Sequence, residues 1–493
     1  MAHSAANRRF FCIFVVQNYG VMLIGRKEER TLLARLKDEE ESSFVAVYGR
    51  RRVGKTFLVR KAFDDRFTFF HTGLAHSPLN KQLEAWRSSL RESGMPKARL
   101  PHTWLDAFDM LKELVKTSNE PKKVVFIDEL PWLDTHRSGF LPALEHFWNG
   151  WASGRNDIIL IVCGSATSWI INNIVQNHGG LHNRLTHRIH LQPFTLHECE
   201  SYAASKRLGM NRRQIMECYM IMGGVPYYWS KLERDRSLAQ NVDDLFFKQD
   251  AVLRDEFGNL YASLFKRPEP YIAVVDALGT KKAGMTREEL IKLGGMSDNG
   301  KLTEVLEDLE SCGFIRRYRA FGLKNKNALF QLIDPYTLFY YKFVRHNEQA
   351  DEHFWLSNIG SPAYYSWCGL AFERLCLLHL PQIKAALGIS GVVANAYAWV
   401  SPKKDREEGA QIDLVIDRND EVIDICEMKY TKDPYIVSDE ESRKITHRLS
   451  RFIAETSTRK AVHLVLVSAS GVVKNPNMFD FQNILTAEDL FAF

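Results

Sequence analysis

The run Val45-Ala46-Val47-Tyr48 passes without a break into Gly49-Arg50-Arg51-Arg52-Val53-Gly54-Lys55-Thr56, the pattern G-x-x-x-x-G-K-[ST], and helix-forming residues follow. No other stretch restricts the fold as much. A strand that ends in this loop and restarts as a helix makes a nest of backbone N–H groups facing phosphate oxygens, and the two glycines permit its turns. Lys55 then falls at the β- and γ-phosphates, and the Thr56 hydroxyl at a Mg²⁺ ion. Gly49, Gly54, Lys55 and Thr56 are therefore expected to bind a nucleoside triphosphate, ATP in the first place.

At 493 residues the chain is too long for one ordinary core and predicts two to four domains. Charge is nearly balanced, 65 Lys+Arg against 60 Asp+Glu, so net charge neither requires nor excludes nucleic acid. The eight cysteines show no C-x-x-C spacing and several lie in apolar runs. That usage fits reduced thiols in a cytoplasm and gives no zinc site. No apolar run has the length of a membrane-spanning helix, so no membrane partner is expected. Residues 1–21 imitate a signal peptide, with Arg8-Arg9 before an apolar Phe10 to Val16, but no small-residue cleavage site follows. They are expected to be a disordered leader or an overextended start, with Met22 opening the first structured segment.

Downstream of the P-loop, Val124-Val125-Phe126-Ile127 reads as a buried strand ending in Asp128-Glu129. Such a strand end is where Mg²⁺ would be held by Asp128 and where Glu129 could take a proton from the attacking water. A third apolar strand, Ile158 to Cys163, ends in Gly164-Ser165-Ala166-Thr167. Ser165 is the expected sensor of the γ-phosphate, with Thr167 as the lesser choice and a plain strand-end turn as the alternative. Arg188 to Leu191 predicts a fifth strand. Strands alternating with helices imply a parallel sheet covered on both faces.

These residues resemble the archaeal and bacterial P-loop ATPases of the AAA-like, STAND-related type. The match rests on Ile24-Gly25-Arg26, the P-loop, Ile127-Asp128-Glu129, Gly164-Ser165, the Arg184 region before Leu191-Gln192-Pro193-Phe194, and Gly223-Gly224-Val225-Pro226-Tyr227. The resemblance implies an ATPase core over 22–200 and a helical lid over 201–265. Pro226 would then lie near the nucleotide base, and Arg184 would be a candidate arginine finger within or between subunits of a homo-oligomer. An ordinary surface or core-pairing role for Arg184 stays open.

Residues 266–335 have the rhythm of a winged helix-turn-helix. A helix over Tyr271 to Leu278 precedes the capping box Thr286-x-x-Glu289, a Gly294-Gly295 turn, and a third helix capped by Ser297 or Asp298 and ended by Gly313. Strands from Phe314 and Ala328 would flank a wing at Gly322 to Asn327. Such modules often place the third helix in a DNA groove. Here that helix carries Glu304, Glu307, Asp308 and Glu310, which phosphates would repel, whereas Arg316, Arg317, Arg319, Lys324 and Lys326 make the strand and wing basic. A DNA-gripping wing and an interdomain spacer are both open, and 336–360 reads as a linker.

From 361 to 493 the signals change. Ser361-Pro362 starts a helix that holds Glu373 among Leu370, Cys376 and Leu377, a costly place for a carboxylate without a partner. Gln411 to Ile416 and Val422 to Tyr430 read as a hairpin turning near Asp420. That register pairs Asp413 with Glu427 and sets Lys429 on the same face. Two carboxylates could hold one or two Mg²⁺ or Mn²⁺ ions while Lys429 orients water, which suits phosphodiester hydrolysis; alternating surface charge is the plainer alternative. The stretch resembles the PD-(D/E)xK nuclease superfamily through Asp413 and Glu427-x-Lys429, and that resemblance adds Glu373 to the expected metal set. It leaves a folded but inactive copy open. Arg443, Lys444, His447, Arg448 and Arg451 form a basic stripe at helical spacing, fit either for a phosphate backbone or for pairing with Glu440 and Glu441.

The expected architecture is thus multidomain α/β: a parallel-sheet P-loop ATPase with a helical lid, a winged helix-turn-helix, and a restriction-endonuclease-like C-terminal α/β domain. The expected function is ATP hydrolysis coupled to a metal-dependent nuclease-like domain acting on nucleic acid, DNA first. Its rival is a STAND-like regulatory switch whose C-terminal domain only binds a partner.

Overall fold

In the computed structural model, which describes residues 23–176, 179–265, 267–322, 328–347, 351–401 and 409–493, five strands form the first sheet. They are β1 (Ser43–Tyr48), β2 (Phe69–Thr72), β3 (Lys123–Asp128), β4 (Ile158–Gly164) and β5 (His187–His190), all parallel, in the order β2-β3-β4-β1-β5. The leader 1–21 and residues 323–327 of the expected wing lie outside the described residues. Because β1, β3 and β4 are nearly continuous apolar runs, the sheet can be covered on both faces. Alternate residues of β1 point opposite ways: Phe44 and Ala46 meet Trp86, Phe108 and Phe147, whereas Val45 and Val47 meet Leu33, Leu58 and Val59. The order places β4 between the P-loop strand and the carboxylate strand, so Tyr48, Asp128 and Gly164 end on one edge of the sheet. Ligands of open α/β sheets bind at that carboxyl edge.

Capping boxes start three helices of the following segment, Leu196–Lys206 at Thr195/Glu198, Arg212–Met222 at Asn211/Gln214 and Leu238–Phe246 at Ser237/Gln240. The next unit combines helices Glu269–Gly279, Arg287–Gly294 and Gly300–Ser311 with a small antiparallel sheet of β6 (Met285–Thr286), β7 (Ile315–Tyr318) and β8 (Leu329–Leu332). Thr286 and Glu289 form the expected box. The third helix is capped by Asn299, not by Ser297 or Asp298, because Asp298 is drawn to Arg287 at 2.8 Å. This helix is docked against the short helix Thr167–Ile170 of the ATPase core, and its Asp308 is buried and accepts from Tyr271 Oη at 2.5 Å.

Residues read as a linker carry helices Pro335–Phe339 and Phe354–Asn358, and Tyr336, Phe339, Phe343 and Trp355 are buried with Trp367 in one aromatic cluster. The same apolar core runs from the lid through this segment into helix Pro362–Leu378. The last sheet comprises β9 (Ala394–Ser401), β10 (Ala410–Arg418), β11 (Val422–Lys429), β12 (Ala461–Ser468) and β13 (Asn483–Thr486), ordered β13-β12-β11-β10-β9. β9, β10 and β11 are antiparallel, and β11, β12 and β13 parallel. Helix Asp439–Thr456 supplies the crossover that the parallel β11–β12 pair needs.

A histidine joins the first half to the second. The buried His379 ring lies 2.9 Å from the Leu375 carbonyl through Nδ1, and its Nε2 accepts the Leu196 N–H at 3.0 Å. Both contacts are satisfied by the neutral ring with its proton on Nδ1. Burial pushes its pKa down to about 4. The folded pKa lies below the unfolded one, so this contribution is complete above the unfolded value of about 6.5 and fades as pH falls toward 4. Chemical denaturation at stepped pH is expected to show roughly 3 kcal/mol lost across that window, and His379→Gln to reduce the slope.

Candidate functional site

At the carboxyl edge, the P-loop closes so tightly that a side chain on Gly49 would stand 2.2 Å from the Leu191 carbonyl oxygen. Gly54 lies at φ 92°, which favours glycine. Lys55 is buried, and its Nζ donates to the carbonyls of Gly49 at 2.8 Å and Arg50 at 2.9 Å. Thr56 Oγ1 donates to Asp128 Oδ2 at 2.7 Å. A hydroxyl from the helix after the P-loop and a carboxylate from the end of β3 thus meet where hard oxygen donors suit a Mg²⁺ ion, and these residues fit that group. Bound there with ATP, the ion would neutralise charge on the β- and γ-phosphates.

Glu129 turns beside this pair through φ 49°. Its carboxylate accepts from Ser165 Oγ at 2.9 and 3.1 Å and from Ser165 N at 3.4 Å. Burial, reinforced by the charge of Asp128, raises the Glu129 pKa, while Lys55 opposes the shift. A carboxylate so placed is a stronger base than one in water. Thr167 is turned away, with its hydroxyl toward the Ser165 carbonyl at 3.5 Å. Lys55, Thr56, Asp128, Glu129 and Ser165 are therefore assembled at one place.

The arginines between the P-loop glycines were not singled out by the motif. Arg50 Nη1 reaches Asp334 Oδ1 at 2.5 Å, both side chains being buried, and its guanidinium lies 4.8 Å from the Phe314 ring centre. Burial would lower the Arg50 pKa, but Asp334 and its other neighbours outweigh that and raise it. Asp334 Oδ2 also accepts from Thr337 N at 3.0 Å and Thr337 Oγ1 at 2.6 Å, which caps helix Pro335–Phe339. Arg52 pairs with Glu256 at 2.5 Å and covers the Tyr227 ring at 4.0 Å. Pro226, half-buried at the first position of helix Pro226–Trp229, is thereby set next to the loop. Arg184 is exposed on the turn before the edge strand β5. The available signal for the missed residues was three adjacent cations in one tight loop, which need counter-charges from elsewhere.

In the C-terminal sheet the β10–β11 pairing runs from Asp417↔Ile423 to Leu414↔Cys426, and Asp413 and Glu427 are the next residues beyond it. On the other side of β10, pairing with β9 jumps from Ile412↔Trp399 to Val415↔Tyr397, so Asp413 sits on a β-bulge, a device that re-aims a side chain. Glu373, Arg374, Asp413, Lys429, Arg443 and Arg448 line one cleft of about 1000 Å³. Burial, and then the charge of Asp413, push the Glu373 carboxyl up to about 7. Glu427 is taken by Lys429 at 2.9 Å and Arg448 at 3.2 Å, and Lys429 also holds Glu441 at 2.7 Å. Among the described residues no three His, Cys, Asp or Glu side chains are grouped to hold a metal ion. Glu373, Asp413 and Glu427 thus share a neighbourhood without fitting a metal as they stand, because cations already occupy Glu427. The basic stripe is also shorter than its spacing suggested. Arg443, Lys444, His447 and Arg448 line the cleft, but Arg451 is buried with Nε 3.0 Å from Glu455.

A parallel sheet with the P-loop, its paired Thr56 and Asp128, and a held Glu129 at the same edge define a P-loop ATPase. In agreement, residues 23–232 match the family described as an ATPase domain predominantly from Archaea. Among curated proteins, the chain is 23% identical over 435 residues to an uncharacterised protein of Methanocaldococcus jannaschii, covering 87% of this chain and 91% of that one. An uncharacterised ATP-binding protein of the same organism is 45% identical over 49 residues, 10% of this chain and 83% of the other. Among solved structures, a Walker-type ATPase of Pyrococcus abyssi aligns at 15% identity and TM-score 0.48, over 65% of this chain and 96% of that chain. The ORC2 protein of Aeropyrum pernix aligns at 17% identity and TM-score 0.41, over 66% and 95%. No described helix is long and apolar enough to cross a membrane.

Lys55→Ala is expected to abolish binding of a fluorescent ATP analogue. Glu129→Gln should bind it normally and release phosphate at a rate lower by about 100-fold or more, the usual scale for loss of a general base. Wild-type turnover in Glu129→Gln would remove that role.

Proposed function

We propose that ATP binding and hydrolysis at the P-loop control the cleft of the C-terminal domain, a nuclease-like domain acting on nucleic acid, with DNA the first substrate to test. The observation that carries this reading is the buried Arg50–Asp334 pair. It makes a P-loop residue the counter-ion of a helix cap in the second half of the chain. That capped helix packs on helix Pro362–Leu378, which bears Glu373. When phosphates draw Lys55 away from the carbonyls of Gly49 and Arg50, the loop must readjust, and Arg50 conveys the change to Asp334. In the hydrolytic step, Glu129 takes a proton from the attacking water and Ser165 fixes the Glu129 carboxylate, while Thr56 and Asp128 would hold Mg²⁺, which would supply charge neutralisation at the phosphates. Arg184, exposed at an edge strand, is available to a neighbouring subunit of a homo-oligomer.

The mixed sheet, with Asp413 and Glu427 just beyond the paired ends of β10 and β11, supports the nuclease-like reading of residues 361–493. The unit at 266–335 is read as a winged helix whose third helix is used internally, against the ATPase core, so contact with DNA would fall to its strand and wing. The second reading, a regulatory switch with a non-catalytic C-terminal module, is favoured by the way Lys429 and Arg448 occupy Glu427.

The deciding experiment is cleavage of single- and double-stranded DNA and RNA with Mg²⁺ or Mn²⁺, with and without ATP, beside Asp413→Ala and Lys429→Ala. Cleavage lost in both variants, with ATP turnover intact, is expected. No cleavage of any substrate despite ATP turnover would leave the switch. Asp334→Ala strands a buried guanidinium, so its urea midpoint should report a loss of about 3–5 kcal/mol. The milder Asp334→Asn should keep ATP turnover and lose the ATP dependence of cleavage.

A further inference from the structure

Arg374 follows Glu373 on helix Pro362–Leu378, is only 3% exposed, and lies on the wall of the large cleft. One of its donors is used: Nη2 donates to the Lys282 carbonyl at 2.7 Å. Nε and Nη1 are buried with no partner. A buried donor left unmade is costly, and a guanidinium more so because it cannot discharge itself by losing a proton.

A second guanidinium is wired to the same point from another part of the chain. Gln331 Nε2 donates to the Lys282 carbonyl at 2.8 Å, and Gln331 Oε1 accepts from Arg316 Nε at 2.7 Å. Arg316 comes from β7 and Arg374 from the helix below the last sheet, so one backbone carbonyl fixes cations from two units. Arg316 also stands 4.4 Å from the Tyr318 ring centre, which holds it in place. Burial, with the repulsion of Arg374 next, pushes the Arg316 pKa down to about 10, and burial lowers that of Arg374 as well. Among the described residues no ion pair joins either arginine to a carboxylate, although Glu373 and Asp413 line the cleft beside Arg374.

We propose that Arg374 and Arg316 form a composite phosphate site that receives a backbone phosphate of a nucleic-acid strand running through the cleft past Asp413. Planar guanidinium forks suit phosphate oxygens, and the unpaired donors of Arg374 supply what a phosphate accepts. Exposed Arg443 of helix Asp439–Thr456 adds a cation at the rim, beside a half-buried Arg448 that is paired with Glu427. This site rests on the nucleic-acid reading of the cleft but not on cleavage. Its two arginines belong to different units, so strand binding would bridge β7 to the last domain.

Binding of fluorescein-labelled single- and double-stranded 20-nucleotide DNA to the full chain in EDTA, followed by anisotropy, tests the site without hydrolysis. Wild type should bind, Arg374→Gln should weaken binding about tenfold and reduce the salt slope by about one phosphate contact, and Arg374→Lys should recover part of the affinity. Arg316→Gln removes the charge from the other unit, so it keeps the test valid if Arg374→Gln does not fold. A purely structural Arg374 would lower the melting temperature but leave affinity and salt slope unchanged, which would overturn the proposal. Competition by millimolar inorganic phosphate supports it; stabilisation by phosphate with no affinity for either DNA would overturn the assignment to a strand. Loss of binding in Arg374→Gln, with no cleavage by wild type in Mn²⁺, would retire the nuclease and keep the phosphate site.

Discussion

Arg50 and Asp334 are 284 positions apart in sequence, and both are almost completely removed from water. Neither charge could be buried alone, since the cost of stranding an ion in the interior exceeds what packing around it returns. The loop that must hold phosphates is therefore shaped in part by an acid from the opposite half of the chain. That acid also caps the helix from which the aromatic cluster of Tyr336, Phe339 and Trp355 begins. Arg52 repeats the arrangement with Glu256 and Tyr227 in the lid. Nucleotide site, lid and second half are consequently bound by the same few charges.

The catalytic edge depends on strand order. With β4 next to β3, Ser165 arrives beside Glu129 from the neighbouring strand end, and Thr56, in the first turn of the helix after the P-loop, reaches Asp128 although β4 lies between β1 and β3. Rigid parallel strands hold these groups to hydrogen-bond distances that mobile loops would not keep. The same packing removes water and so moves Glu129 toward stronger basicity.

In the C-terminal cleft, like charges are brought close and left partly unbalanced. Glu373 is forced toward neutrality near Asp413, while Arg374 and Arg316 repel one another nearby. Glu427 and Lys429, by contrast, are fully engaged with cations and acids of their own. This uneven compensation is what the proposed phosphate ligand would relieve.

Much of this was legible in residue order because it is local. The P-loop spacing, the apolar runs of β1, β3 and β4, the capping boxes, and a hairpin centred on Asp420 each follow from a dozen residues or fewer. They determined the P-loop and the hairpin register that pairs Leu414 with Cys426. Tertiary structure decided what depends on distant partners: the acids that neutralise Arg50 and Arg52, the docking of the acidic third helix on the ATPase core, and the burial of Arg451. It also decided the bulge at Asp413 and the capture of Glu427 by Lys429 and Arg448. Local propensity acts over a few bonds along the chain, whereas desolvation and charge pairing act through space, so only the folded arrangement selects which ions meet.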